Sequence, residues 1–393
     1  MKIQSVEIFK MHCSGAFGWA PIGCRVHTAE GIFGDGEAAL GYGTGSSAAF
    51  GMIKDLSSLI IGMDPLDTEI IWDKLYKTTF WAQNGGPVVF AGISALDIAL
   101  WDIKGKSLGL PLYKLLGGKK RDKLRTYASQ IQGGFGPVHE WQKTPSDYAA
   151  ISKKCIEMGY DAVKIDFLSV APDGSFLTNE MRKGLLSPYY LHMAVDRVAA
   201  VREAIGPEAD IIVENHSNLD ALSAIQLARE IEKYRIFFFE EPNTPTPKTL
   251  KYISDNIAIP IANGERIYSR WQYAPYFENM SIQIAQPDIG TCGGITEAKK
   301  ICDMAYVYDV GVQAHICASP LGTPVALHLE ACIPNFCIHE HHLVNLHQYN
   351  KDLCIHDYQP QNGFFSVPEL PGIGNEFSEK AIKEATEYIV VTE

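Results

Sequence analysis

Asp210-Ile-Ile-Val-Glu-Asn-His216, Ile236-Phe-Phe-Phe-Glu240 and Pro260-Ile-Ala-Asn-Gly-Glu265 mark the stretch that decides how this chain folds. Each is a short apolar, β-prone run that ends on a polar cluster, and a segment of helix length follows. Runs of this kind alternating with helices read as βα units around a parallel sheet. Outward from this stretch the pattern extends back to Leu124 to Ser129 and Ala162 to Ile165. It extends forward through Ile282 to Ala285, Val312 to Ala314 and Phe336 to Ile338, which makes eight runs. The polar residues just after the later runs, Glu214, Glu240, Glu265, Asp288, His315 and Glu340, are spaced by 26, 25, 23, 27 and 25 residues. One strand, one helix and two loops fit that period. Eight units close into a (β/α)8 barrel, whose active sites lie at the C-terminal strand ends. An open doubly wound sheet is the alternative, but it would gather polar residues at one switch point rather than after nearly every strand.

The flanks read differently. Residues 1–123 form an α+β unit, with strands at Ile3 to Phe9 and Val26 to Ala29 and helices at Ala48 to Leu59 and Asp67 to Trp81. A further helix around Ser94 to Lys106 is stopped by Gly109 and Pro111. The barrel is expected over 124–365, and 366–393 is a C-terminal segment that returns to the first unit.

A chain of 393 residues has room for two or three domains. Its 46% hydrophobic and 20% charged residues are those of a soluble globular protein. The net charge of −12 argues against nucleic acid and anionic membrane surfaces, so an anionic substrate must meet a local positive centre. The most apolar stretch, Val88 to Trp101, is broken by Asp97 and is shorter than the roughly 18 residues a membrane span needs. Nine cysteines without a CxxC pair suit reduced thiols in the cytoplasm.

Glu214, Glu240 and Glu265 on successive strand ends would converge in a barrel mouth, where like charges need a cation between them. An all-oxygen set suits Mg²⁺ better than zinc, which would recruit His and Cys. Asp288 and His315 end neighbouring strands. A carboxylate on one ring nitrogen fixes the tautomer and makes the other a base; the competing reading is a core histidine with a satisfied hydrogen bond. His216 lies two residues past Glu214 and so shares its side of the strand, where it could protonate a leaving hydroxyl. Lys164 and Asp166 repeat that spacing: the lysine to orient or ionise a substrate, the aspartate to bind hydroxyls, or the two as a structural ion pair. Glu340, if protonated, could hydrogen-bond a carboxylate or enolate oxygen. The tract His339, His341 and His342 suggests a metal, but adjacent residues point in different directions. Gly41 to Gly45 and Gly290 to Gly294 lack the context of a nucleotide loop.

Several pieces carry a resemblance that spans nearly the whole chain. Ala95-Leu-Asp-Ile-Ala-Leu-Trp-Asp-Ile-Lys104, Pro111 to Gly118, Phe239-Glu-Glu-Pro242, Gly264-Glu-Arg266, Gln286-Pro-Asp288 and Gly293-Gly-Ile-Thr296 resemble the enolase superfamily and, within it, the mandelate racemase subgroup. That superfamily's own chemistry, a Lys or His base with Mg²⁺ stabilising an ene-diolate, comes with the resemblance. It implies that Glu214, Glu240 and Glu265 ligate the metal, that Asp288 and His315 form the proton-abstracting dyad and that Glu340 supports the enolate. It makes the first unit a capping domain, whose loops around Cys13 to Arg25 and Gly41 to Phe50 cover the site. Asp166, Arg266 and Trp19 are then the candidates for substrate contact, and the protein a homo-oligomer.

Two departures refine the reading. Lys164-Ile-Asp166 stands where the subgroup carries Lys-x-Lys, which removes the usual second base and disfavours racemisation. Glu214-x-His216 is similar to the acid-sugar dehydratases, where an Asp more often fills the first position. The segment Leu168 to His192 reads as an inserted lid. The expectation is Mg²⁺-dependent dehydration of an aldonate or aldarate, a small-molecule acid sugar, to a 2-keto-3-deoxy acid. An epimerase, racemase or cycloisomerase using the same enolate is the alternative, and a non-catalytic sugar-acid-binding barrel the third reading.

Overall fold

Alternating apolar residues near the N-terminus build a small antiparallel sheet from β1 (Ile3–Lys10), β2 (Ile22–Thr28) and β3 (Phe33–Ala38). The structure is a computed structural model that describes residues 1–12 and 18–392. The helix Pro87–Leu108 lies on β3 so closely that a Cβ on Gly34 or Gly36 would fall 2.1 Å from the Ala99 carbonyl oxygen or 1.8 Å from that of Ala95. Glycine is the residue that allows this approach. The same helix is buried along most of its length because its other side meets the barrel. Ser94 Oγ accepts from Gly293 and Gly294 N–H at 2.9 Å, and Asp97 accepts from Thr296 N–H and Oγ. Burial pushes the Asp97 carboxyl up to about 7 against those bonds.

The eight expected runs form parallel strands β4 (Lys123–Ser129), β5 (Ala162–Ile165), β6 (Asp210–Glu214), β7 (Ile236–Glu240), β8 (Ile261–Asn263), β9 (Ile284–Ala285), β10 (Gly311–Val312) and β11 (His339–His342). They pair in the order β10-β9-β8-β7-β6-β5-β4-β11. A parallel bridge between Val312 and Phe336 brings the ends of that ladder together, so the sheet is a barrel rather than an open one. The eighth run is displaced from its expected place. Phe336 bridges to β10, whereas the ladder to β4 is made by His339–His342, three residues further on. The chain then adds β12 (Phe364–Ser366), antiparallel to the start of β4, and ends on β13 (Glu387–Val391), antiparallel to β1. Among the described residues no helix is long and apolar enough to cross a membrane.

The barrel interior is filled by Tyr127, Ala162, Ile212, Phe238, Ala262, Ile284 and Ile338. Strand alternation sends the residue two positions later to the same side, one layer nearer the C-terminal mouth. Those residues are Ser129, Lys164, Glu214, Glu240, Gly264, Gln286 and Glu340. An apolar floor thus carries a ring of polar side chains, open at Gly264.

Candidate active site

In that ring three carboxylates meet one lysine. Lys164 Nζ lies 3.2 Å from Glu214 Oε2, 2.5 Å from Glu240 Oε1 and 2.8 Å from Glu340 Oε1, and none of the four side chains is more than 1% exposed. Glu340 also accepts from Ser129 Oγ at 2.6 Å and Ile316 N–H at 2.9 Å. Burial disfavours its charge, yet Lys164 and His315 hold its carboxyl well below the usual range. The Lys164 ammonium beside it thus favours the ionised form of Glu340 over the protonated one expected from sequence. Glu240 goes the other way, pushed well up by burial and by Glu214 beside it.

Glu214, Glu240 and Glu265 each offer an oxygen within 4.8 Å of the others. Glu265 comes from the loop just past β8, not from the strand. Glu214 Oε1 is occupied by the Asn215 and His216 N–H groups at 3.0 and 2.7 Å and Glu214 Oε2 faces the Lys164 ammonium at 3.2 Å, but Glu240 Oε2 is buried without a hydrogen bond. Buried carboxylate oxygens without donors need a cation. The all-oxygen donor set fits a hard divalent metal ion.

An aspartate–histidine pair stands on each side of this cluster. His315 Nδ1 is 2.7 Å from Asp288 Oδ2, the two residues are in parallel register across strand ends, and Gly290 N–H holds Asp288 Oδ1 at 2.8 Å. The other ring nitrogen, Nε2, lies 3.2 Å from Glu265 Oε2, so it borders the cluster of three glutamates. Burial opposes charge on His315, but Glu265 and Asp288 raise its pKa well above the ordinary value, while His315 and Arg266 pull Glu265 down to about 2 against its own burial. On the other side His216 Nδ1 is 3.1 Å from Asp166 Oδ2. Asp166 accepts Leu168 N–H on its second oxygen and its own N–H reaches Gln132 Oε1. Burial disfavours the imidazolium of His216, but Glu214 and Asp166 raise its pKa to about 10.

The remaining expectations divide. Asp166 pairs with His216, not with Lys164. Arg266 is ion-paired to both Glu241 and Glu265 and frames the cluster. Trp19 is 5% exposed and donates to Asn350 Oδ1 at 3.0 Å, while Cys13 to Phe17 of its loop lie outside the described residues. The histidine tract separates by alternation. His339 binds Glu330 and His341 binds Tyr160, both behind the barrel wall, whereas His342 shares the side of Glu340. His342 Nδ1 accepts Val344 N–H at 3.1 Å, which leaves Nε2 to carry the proton. The sequence reading passed over Ser129 and Glu241. Ser129 ends the first run in the same phase as Glu340's neighbours, and Glu241 is the second acid of Phe239-Glu-Glu-Pro242, so both had a signal.

Comparison with known proteins agrees with this geometry. Residues 147–381 match the enolase C-terminal domain-like family, and residues 21–117 match the mandelate racemase / muconate lactonizing enzyme N-terminal domain. D-galactonate dehydratase of Pectobacterium atrosepticum is 34% identical over 98% of this chain and 94% of its own length. D-xylonate dehydratase of Haloferax volcanii is 33% identical over 92% of this chain and 83% of its own. The crystal structure of a member of the enolase superfamily from Salmonella Typhimurium superposes with a TM-score of 0.97 at 49% identity, covering all of both chains. With both domains matched and the barrel mouth built as described, this chain belongs to the mandelate racemase / muconate lactonizing enzyme family of the enolase superfamily.

Proposed function

We propose that the protein is a hydro-lyase that dehydrates a sugar acid, an aldonate in preference to an aldarate, to a 2-keto-3-deoxy acid with Mg²⁺ as cofactor. The observation that carries this reading is the pair of aspartate–histidine couples on opposite sides of one acidic cluster. Elimination of water needs a base at one carbon and an acid at the next. Glu214, Glu240 and Glu265 would hold the metal, which when bound offsets charge developing on the substrate carboxylate. His315 Nε2 takes the C2 proton while Asp288 keeps the ring oriented. Glu265 and Asp288 both support charge on His315, and a cation held by Glu265 would draw on the share that Glu265 supplies. Glu340 and Lys164 lie on the enolate side. His216 gives a proton to the C3 hydroxyl as the C3–O bond breaks, water leaves, and the enol becomes the keto acid. The relatives named for D-galactonate and D-xylonate support an aldonate.

The epimerase alternative needs Lys164 as a mobile second base, but Lys164 is enclosed by three carboxylates and 1% exposed. In the same reading residues 1–123 and 366–393 form the cap around a barrel of 124–365, with 168–192 as a lid, Asp166, Arg266 and Trp19 around the substrate, and the enzyme a cytoplasmic homo-oligomer. The test is keto-acid formation from a stereochemically complete set of aldonates and aldarates. At least one should be converted, activity should vanish on chelation and Mg²⁺ should restore it. No keto acid from any member would overturn the proposal.

A further inference from the structure

The cap reaches the proton-abstracting pair through the end of β3. Ser319, four residues past His315, donates its N–H to Glu37 Oε1 at 2.9 Å and its Oγ–H to Glu37 Oε2. Two residues further along the cap, Ala39 N–H donates to the Gly290 carbonyl at 3.1 Å, and Gly290 N–H is the group that holds Asp288 Oδ1 at 2.8 Å. The fit is tight: a Cβ on Gly290 would lie 2.6 Å from Ala39 Cβ and 2.9 Å from its nitrogen. Between these contacts is a cavity of about 20 Å³, bordered by Glu37, Ala39, Asp288, Gly290 and His315. It has room for a single water. Glu37 itself is 3% exposed, and among the described residues its two oxygens are bound by Ser319 alone, so they serve the loop beyond His315.

We infer that Glu37 is a positioning residue: from the cap it clamps the loop that follows His315, beside the Ala39 bond that braces the Asp288 loop, and so holds the His315 ring in line for proton abstraction. The inference rests on His315 being the base.

The test compares Glu37→Ala, Glu37→Gln and Ser319→Ala in the full-length chain, with two readouts. In the keto-acid assay Glu37→Ala should lower kcat on the order of 100-fold, the cost of a misplacement of about 1 Å. KM should stay nearly constant. Glu37→Gln, which can accept from Ser319 N–H and donate to Ser319 Oγ, should recover most of the rate. The second readout needs no turnover: modification of histidines by diethyl pyrocarbonate, followed by mass spectrometry. In Glu37→Ala, His315 should react several-fold faster while His216 keeps its wild-type rate. If Glu37→Ala does not fold, Ser319→Ala, which retains the backbone bond, should move both readouts the same way by less. An unchanged His315 rate, or an equal rise at His216 and His315 from general loosening, would overturn the inference. Absence of turnover in the unaltered protein would instead count against the dehydratase reading.

Discussion

His315 and His216 each lean on an aspartate from a neighbouring strand end, yet the two pairs are built to different tolerances. His315 is 15% exposed, in strand register with Asp288, and its partner's second oxygen is tied to a backbone N–H. His216 is 33% exposed, its contact to Asp166 is 0.4 Å longer (3.1 against 2.7 Å), and it sits on a turn with φ of +46° followed by Ser217 at +59°. Left-handed backbone at residues other than glycine costs roughly 1–3 kcal/mol each and persists only when the surroundings impose it. Here Ser217 N–H bonds the Glu241 carbonyl at 3.0 Å and Asn218 N–H that of Asn215 at 2.9 Å. Under the proposed dehydration the difference amounts to a division of labour. Removing a carbon-bound proton demands a fixed base, whereas an acid serving a leaving hydroxyl can stand on a turn open to solvent and be reprotonated there.

Breaking the rigid pair should have the largest effect. His315→Asn should reduce both keto-acid formation and exchange of the C2 hydrogen in deuterated water by about 10²–10⁴-fold, as loss of a general base does. His216→Asn should separate the two measurements: dehydration falls about 10²-fold while C2 exchange continues, because the base remains. Exchange lost in parallel with dehydration would show that the two pairs do not act separately. Asp166→Asn should be milder, about tenfold in kcat, and informative in its pH profile. Glu214 and Asp166 both raise the His216 pKa, so removing the aspartate lowers it. The acid is then deprotonated sooner, and the alkaline limb of kcat should move to lower pH.

The smallest effect lies away from both pairs, in the joint between cap and barrel. Asp97 has a folded pKa near 7, above its ordinary 3.8, because it is buried. Its stabilising contribution is full below 3.8 and is lost as the pH rises through about 7. Tm of the metal-free protein should fall by a few degrees from pH 5.5 to pH 8 on this account, and Asp97→Asn should show a shallower slope in a thermal melt. That control separates pH effects on stability from those on the two histidines.

Much of this comparison was legible in the chain. The period near 25 placed Glu214, Glu240, Glu265, Asp288, His315 and Glu340 at one end of a barrel, and the structure brings them to one mouth. Less legible was who pairs with whom. Asp166 was read as a partner for Lys164 or a ligand for hydroxyls, but the turn after β6 delivers His216 to it while Lys164 turns to the glutamates. Arg266 was counted among substrate contacts and is engaged by Glu241 and Glu265. Glu37 is not legible at all, since nothing in its local sequence announces a partner 282 positions away.

The amino-acid sequence by itself determined which residues alternate toward the barrel lumen and which strand ends carry acids and histidines, because side-chain direction along a strand and the length of a βα unit are local properties. Only the tertiary structure decided the pairings: Lys164 among three carboxylates from β6, β7 and β11, the second aspartate–histidine couple, and the hold of the cap on the first. Those depend on barrel closure and on how the cap seats against it, and a hydrogen bond is decided by tenths of an ångström that no spacing along the chain encodes.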